Sequence, residues 1–259
     1  MNFLVRSFKS FTKFEITLLS GSVVAILVAF FVARSRDYLS LGASLLGAVM
    51  LIFLAKGNVI GQVLTLVFAA IYAYISYGQS YYGEMITYLG MTAPIAVASI
   101  ISWLRHPFGG DKSSVKVNTL GGKEYLLLVG LTAAVTTAFY FILRELGTAN
   151  LIPSTVSVLT SFVASYLSMR RSEYYALAYA ANDIVLVVLW VLATIQNIGY
   201  ISVTVCFCVF LVNDLYGFVN WSRVKRKQRN ATENETDKIE PDNTVIEPAP
   251  DAPDAPDEA

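Results

Sequence analysis

Histidine and cysteine are nearly missing from this chain of 259 residues, and charge is sparse. The one histidine, His106, precedes Pro107 in a segment rich in Gly and Lys, and reads as a surface residue rather than a catalyst. The two cysteines, Cys206 and Cys208, lie two positions apart in one apolar run. On a helix they diverge by about 200°, too far for a disulfide or a shared metal, so they read as packing residues. No Gly-Lys-Ser/Thr phosphate loop occurs, and no nucleophile–base pair or metal-ligand cluster is apparent. An enzyme would lack its working parts, and no catalytic, metal or cofactor site is expected. A cleavable signal peptide is not expected either, because the first apolar run is long and ends in Val32-Ala33-Arg34-Ser35-Arg36 without a small-residue cleavage site.

What the chain has instead is hydrophobic length. Apolar residues make up 55% of it and charged residues 15%, and the apolar ones gather into eight runs of about twenty, long enough to cross a bilayer. These lie at roughly 14–33, 38–55, 58–77, 82–103, 125–146, 152–169, 174–197 and 199–220. The fold class expected is an all-α integral membrane protein. Fifteen Lys and Arg fall in one set of connecting segments, and only Arg34, Arg36 and Arg144 in the opposite set. The positive-inside rule then places both termini in the cytoplasm and agrees with an even number of spans. Residues 230–259 carry ten acids against one Lys and five prolines, so a disordered, solvating tail is expected there.

Two portions of the chain resemble each other. Ser40, Ser44 and Ala48 recur at intervals of four, as do Ser157, Ser161 and Ser165, and both stripes suit close helix packing. A basic turn follows each, Lys56 and then Arg170-Arg171. Each portion closes on Trp-containing segments, Ser102-Trp103-Leu104-Arg105 and Asn220-Trp221-Ser222-Arg223. The offsets are 117, 114 and 118 residues. Repeats of three helices separated by one helix would have the same orientation and an axis along the membrane normal. The division expected is 1–37 (N-terminus and an additional helix one), 38–104 (first triplet), 105–151 (loop and linker helix five), 152–222 (second triplet) and 223–259 (a basic, then acidic disordered tail).

Polar residues at membrane depth cost several kcal/mol unless they face a partner or a wet cavity. Two Asn-Asp pairs stand out, Asn182-Asp183 and Asn213-Asp214, each Asn followed eight residues later by a Trp. Helix seven aligns Tyr175, Tyr179, Asn182, Leu186 and Trp190 on one face, with Asp183 at its margin. Helix eight offers Asn213, Gly217 and Asn220, flanked by Asp214, Tyr216 and Trp221. Helix three offers Asn58, Gln62, Thr65, Tyr72 and Ser76. Amides donate and accept, and Tyr and Trp faces hold flat rings and attract cations, so these stripes suit a polar heteroaromatic solute with hydroxyl groups. Interhelical hydrogen bonding is the alternative use for the two asparagines, and the aspartates could orient neighbouring groups instead of touching solute. Tyr38, Tyr77, Tyr81, Tyr82, Tyr200 and Trp103 read as interfacial belts, Glu84 as a solvated residue near the outer interface, and Pro94 as a kink or hinge. No row of basic residues lies at membrane depth to receive a phosphate.

In several motifs the chain resembles the PnuC family of bacterial vitamin-precursor transporters, nicotinamide riboside transporters in particular. The residues are Lys56-Gly57-Asn58 with Gly61-Gln62, and Tyr82-Gly83-Glu84 at the head of the fourth helix. Next comes Arg170-Arg171-Ser172-Glu173-Tyr174-Tyr175-Ala176, running on to Asn182-Asp183 and Trp190. The last is Asn213-Asp214-Leu215-Tyr216-Gly217-Phe218, ending in Trp221. The likeness spans about residues 14 to 225. It implies a SWEET-like arrangement of three, one and three helices plus one additional N-terminal helix, a homotrimer, and a bacterial cytoplasmic membrane. It also implies uptake of nicotinamide riboside by facilitated diffusion with alternating access, followed by trapping through cytoplasmic phosphorylation. Substrate contact would fall to Asn182, Asn213, Trp190, Tyr175, Tyr179, Gln62, Tyr72, Asp183, Asp214 and Tyr216. No nucleic-acid partner is expected. Thiamine, or another vitamin or nucleoside, is the alternative cargo, and a non-transporting membrane enzyme or signalling anchor the alternative class.

Overall fold

A computed structural model describes residues 11–34, 37–78, 82–109, 111–148, 150–196, 198 and 201–239. Arg6, Lys9, Arg36, Tyr81, Tyr200, residues 240–259 and the side chains of Ser76 and Tyr82, all used in the sequence reading, lie outside this description. The chain is built of helices α1 (Lys13–Val32), α2 (Tyr38–Ala55), α3 (Val59–Gly78), α4, α5 (Gly122–Glu145), α6 (Leu151–Met169), α7 (Tyr174–Gln196) and α8 (Ile201–Ile239). Helix α4 is composite, with α-helical parts Tyr82–Thr87 and Ala93–Arg105 around a π-helical turn, Tyr88–Thr92. Among the described residues, seven helices are long and apolar enough to cross a membrane; the apolar part of α3, Val59–Ile75, is shorter.

The helices pack as a closed ring. Helix α2 packs on α3, α3 on α4, α4 on α6, α6 on α7, α7 on α8, and α8 back on α2. Helix α1 lies outside against α2 and α8, and α5 against α6. Their remaining faces are apolar and exposed, as at Phe31, Val32, Leu126 and Val129, which is what a lipid surround requires.

Two turns at one end of the ring have the same construction. After α2, Gly57 adopts φ +66°, its N–H donates to Leu54 O and that of Asn58 to Phe53 O. After α6, Arg171 adopts φ +61°, its N–H donates to Ser168 O and that of Ser172 to Leu167 O. Both are left-handed helix stops that satisfy otherwise orphaned carbonyls. The next helix is capped alike in both places, by Asn58 Oδ1 accepting from Ile60 N and Ser172 Oγ from Tyr174 N. Trp103 Nε1 then crosses from α4 to Ser168 O at 2.9 Å, while Trp221 Nε1 crosses from α8 to Leu54 O at 2.9 Å. The two indoles meet at 5.5 Å between ring centroids. Trp103 is therefore a 2% exposed interhelical strut, not the interfacial residue expected. Tyr38 and Tyr77 are exposed.

Three further features depart from expectation. The tail was expected to be disordered from residue 223, yet α8 continues to Ile239. Its extension is rich in Lys, Arg, Gln and Glu, which favour helix, and carries an Arg229–Glu233 pair one turn apart. The loop after α4 holds a short hairpin, β1 (Pro107–Phe108) against β2 (Asp111–Val115). The loosening expected of Pro94 appears as the π-helical turn just before it: Ala93 N–H reaches back to Tyr88 O. Proline has no N–H and its ring crowds the carbonyl four residues earlier, and one extra residue in the turn relieves both problems.

Helix α1 is anchored by a residue the sequence reading passed over. Glu15 closes a capping box with Thr12, accepts from Lys56 Nζ at 3.0 and 3.1 Å and from Tyr216 OH at 3.0 Å, and is 1% exposed. Removing one partner of such an ion pair strands the other charge. Lys56→Ala should destabilise the protein by about 3 kcal/mol, and the isosteric pair Glu15→Gln with Lys56→Met should recover most of that loss; thermal melting in detergent reads both.

Candidate solute-binding cavity

A cavity of about 720 Å³ runs along the inside of the ring. One end reaches the exposed residues of the α5–α6 connection, Leu146, Gly147 and Asn150, and the end of α7 at Gln196. The other end stops at buried Leu54, Gln62 and Ser168, where Gln62 Nε2 donates to Ser168 Oγ at 2.7 Å. Just beyond lie the two crossed indoles.

Helix α7 supplies the densest polar face. Asn182 Oδ1 accepts from three hydroxyls of α6: Ser157 at 3.3 Å, Thr160 at 2.8 Å and Ser161 at 3.1 Å. One turn toward the closed end, Tyr179 OH and Ser165 Oγ are 3.0 Å apart. One turn past Leu186 in the opposite direction, Trp190 stacks on Phe207 of α8 with ring planes 17° apart. Across the cavity, Tyr72 OH donates to Glu84 Oε2 at 2.9 Å, and the Tyr72 ring clusters with Phe68 and Tyr88, at 5.6 and 4.6 Å between centroids. Asp183 and Asp214 face each other within hydrogen-bonding reach. Both are at least 95% buried, and Asp183 Oδ2 has no hydrogen-bond partner among the described residues.

Gln62, Tyr72, Tyr179, Asn182, Asp183, Trp190 and Asp214 thus share one cavity wall system. Asn213, Tyr175 and Tyr216 do not line it. Asn213 Nδ2 donates to Ser22 Oγ of α1 at 3.0 Å and to Val209 O at 2.8 Å. Tyr175 packs its ring 4.8 Å from Trp221, and Tyr216 serves Glu15. The reason is helical geometry: adjacent residues point about 100° apart, so Asp214 faces the cavity while Asn213 faces α1.

The cavity also recruits residues that sequence reasoning assigned elsewhere. Ser157, Ser161 and Ser165 were read as a small-residue packing stripe, yet they line the cavity and hold Asn182 and Tyr179. A stripe made wholly of hydroxyls, rather than Gly or Ala, is the signal that could have found them. Glu84 is not solvated at the interface but half-buried in the lining with Tyr88. The described lining carries three carboxyl groups, Glu84, Asp183 and Asp214, and no Lys, Arg or His. Such a lining offers hydrogen-bonding groups to a neutral or cationic solute and no basic partner to an anion.

Comparison with known proteins gives a consistent picture. A family model described as "Nicotinamide mononucleotide transporter" matches residues 37–223. A protein of Neisseria mucosa named nicotinamide riboside transporter PnuC is 28% identical over 226 residues, covering 85% of each chain. Its namesake from Haemophilus influenzae is 22% identical, covering 83% of this chain and 92% of the relative. A solved structure described as the vitamin B3 transporter PnuC superposes with a TM-score of 0.72 at 25% identity, covering 85% of this chain and 94% of that one.

Because Asn213 lies outside the cavity, Asn213→Ala should leave solute affinity unchanged. It should cost about 1 kcal/mol of stability through the lost contact to α1, read as a lowered melting temperature beside an unaltered binding isotherm.

Proposed function

The chain belongs to the nicotinamide mononucleotide transporter family, and we propose that its own cargo is nicotinamide riboside, the cargo named for its relatives from Neisseria mucosa and Haemophilus influenzae. One observation carries the choice of riboside over mononucleotide: the described cavity lining holds three carboxyl groups and no basic residue. The riboside has a cationic pyridinium ring, a carboxamide and ribose hydroxyls. Its ring suits the faces of Trp190, Phe207 and Tyr72. Asn182, Gln62 and Tyr179 suit the carboxamide and sugar. A phosphate would find no guanidinium or ammonium partner in the described lining.

The same asymmetry supplies a trap. Transport is facilitated diffusion, in which the cavity opens alternately to the two faces without a coupling ion or ATP, and phosphorylation in the cytoplasm turns the cation into an anion that the acid-lined cavity rejects. The membrane is the bacterial cytoplasmic membrane, crossed eight times with both termini inside. Placing the basic turns after α2 and α6 in the cytoplasm follows the charge bias and leaves the cavity open to the outside. The architecture is a SWEET-like pair of parallel three-helix repeats, α2–α4 and α6–α8, linked by α5, with α1 additional. Supporting this reading are the ring order of the helices, the matched turns 114 residues apart and the reciprocal indole bonds. A homotrimer is part of the proposal, resting on the family resemblance, and native mass in detergent tests it.

The binding experiment sets nicotinamide riboside, nicotinamide mononucleotide, thiamine and riboflavin side by side on the purified protein. The riboside should bind and the mononucleotide should not; binding of thiamine without the riboside overturns the cargo. In proteoliposomes lacking any kinase, the riboside should only equilibrate, and accumulation driven by a proton or sodium gradient would refute uncoupled transport.

Asn182 is the amide that the cavity is built around. Asn182→Ala should weaken riboside binding about threefold to tenfold, the worth of one hydrogen bond to a neutral group, with the chain still folded; titration calorimetry on the variant reads it.

A further inference from the structure

The closed end of the cavity is crossed by a segment that the transport reading does not use. Residues 115–120 run from the end of β2 to the approach of α5 and are bonded to both halves of the ring. Val115 N donates to Gly57 O at 3.1 Å, and Asn118 N to Arg171 O at 2.9 Å. Gly57 and Arg171 are the corresponding left-handed residues of the two matched turns, so one short strap takes a carbonyl from each. Val115 is 4% exposed and Leu120 6% exposed, and Val115 packs so closely on Gly57 that a β-carbon there would lie 3.2 Å from its Cγ1.

A third tie comes from the extension of α8. Gln228 is 8% exposed, donates through Nε2 to Val115 O at 3.0 Å and accepts at Oε1 from Val117 N at 2.9 Å. Both ends of its amide are used on the strap backbone, a fit that a solvated helix face has no need of. Just past the strap, Glu124 pairs with Arg170. The strap thus lies under Trp103 and Trp221, and the two triplets cannot separate at this end without breaking one set of ties.

We propose that residues 115–120 are the latch of the gate on this face, and that Gln228 is its positioning residue. Strand β2 packs on α3 and on the Ala93–Arg105 part of α4, so the strap travels with the first triplet. The bonds that break on opening are those to the second, Asn118 to Arg171 and Gln228 to Val115 and Val117. Closure re-forms them and returns the cavity to the state seen here. This accounts for α8 staying helical beyond the membrane: the extension carries Gln228 to the strap.

The test uses the full chain with Cys206 and Cys208 replaced by alanine. The hydrogen bond from Asn118 N to Arg171 O sets the two backbones side by side, near enough for a disulfide to span, so Asn118→Cys with Arg171→Cys should oxidise to a lock. The locked protein should bind nicotinamide riboside with unchanged affinity from the open side, lose uptake into proteoliposomes, and regain it on reduction. Undiminished uptake in the locked form, or loss of binding that returns on reduction, overturns the proposal. A second arm needs no solute, so it stands apart from the cargo reading. Gln228→Ala should raise the rate at which a membrane-impermeant thiol reagent, applied from the basic face, modifies Ser157→Cys in the cavity by about threefold or more, the worth of the lost bonds. An unchanged rate overturns the role of Gln228.

Discussion

The two triplets are held together at one end by indole hydrogen bonds that each reach into the other half. Trp103 satisfies the carbonyl of Ser168 and Trp221 that of Leu54, at the ends of α6 and α2, where helix termination leaves carbonyls without intrahelical donors. Burial makes these bonds obligatory, since no bulk water stands in for a missing donor. They close the end of the ring at which the cavity stops.

Everything polar inside the ring answers to the same constraint. Asn182 draws three hydroxyls from α6, Tyr179 pairs with Ser165, Gln62 with Ser168 and Tyr72 with Glu84. What the internal pairing leaves over points to the cargo. The spare groups are carboxyl oxygens, above all Asp183 Oδ2, with aromatic faces beside them. A surface of this composition distinguishes solutes by charge before it distinguishes them by shape.

Residue types and spacing determined a good deal by themselves. Hydrophobic length dictated helices at membrane depth. Lys56, Arg170-Arg171 and the two Trp segments marked the matched halves, and Asn182, Asp183, Trp190, Tyr179, Gln62, Tyr72 and Asp214 lie together in one cavity. The helices and the shared lining are there because each depends on a local period or on composition.

Only the tertiary structure decided which side of a polar helix faces the solute. Asn213 and Asp214 are equivalent as letters, but a rotation of about 100° sends one to α1 and the other to the cavity. Tyr175 and Tyr216 went to Trp221 and Glu15 for the same reason. The hydroxyl stripe of α6 became part of the cavity because α7 brought Asn182 and Tyr179 opposite it. Glu84 turned inward on a composite helix next to Tyr72, and the polar stretch after Trp221 brings Gln228 to the strap. A periodic pattern fixes which residues share a face; which neighbour that face meets is settled by contacts between residues more than a hundred positions apart.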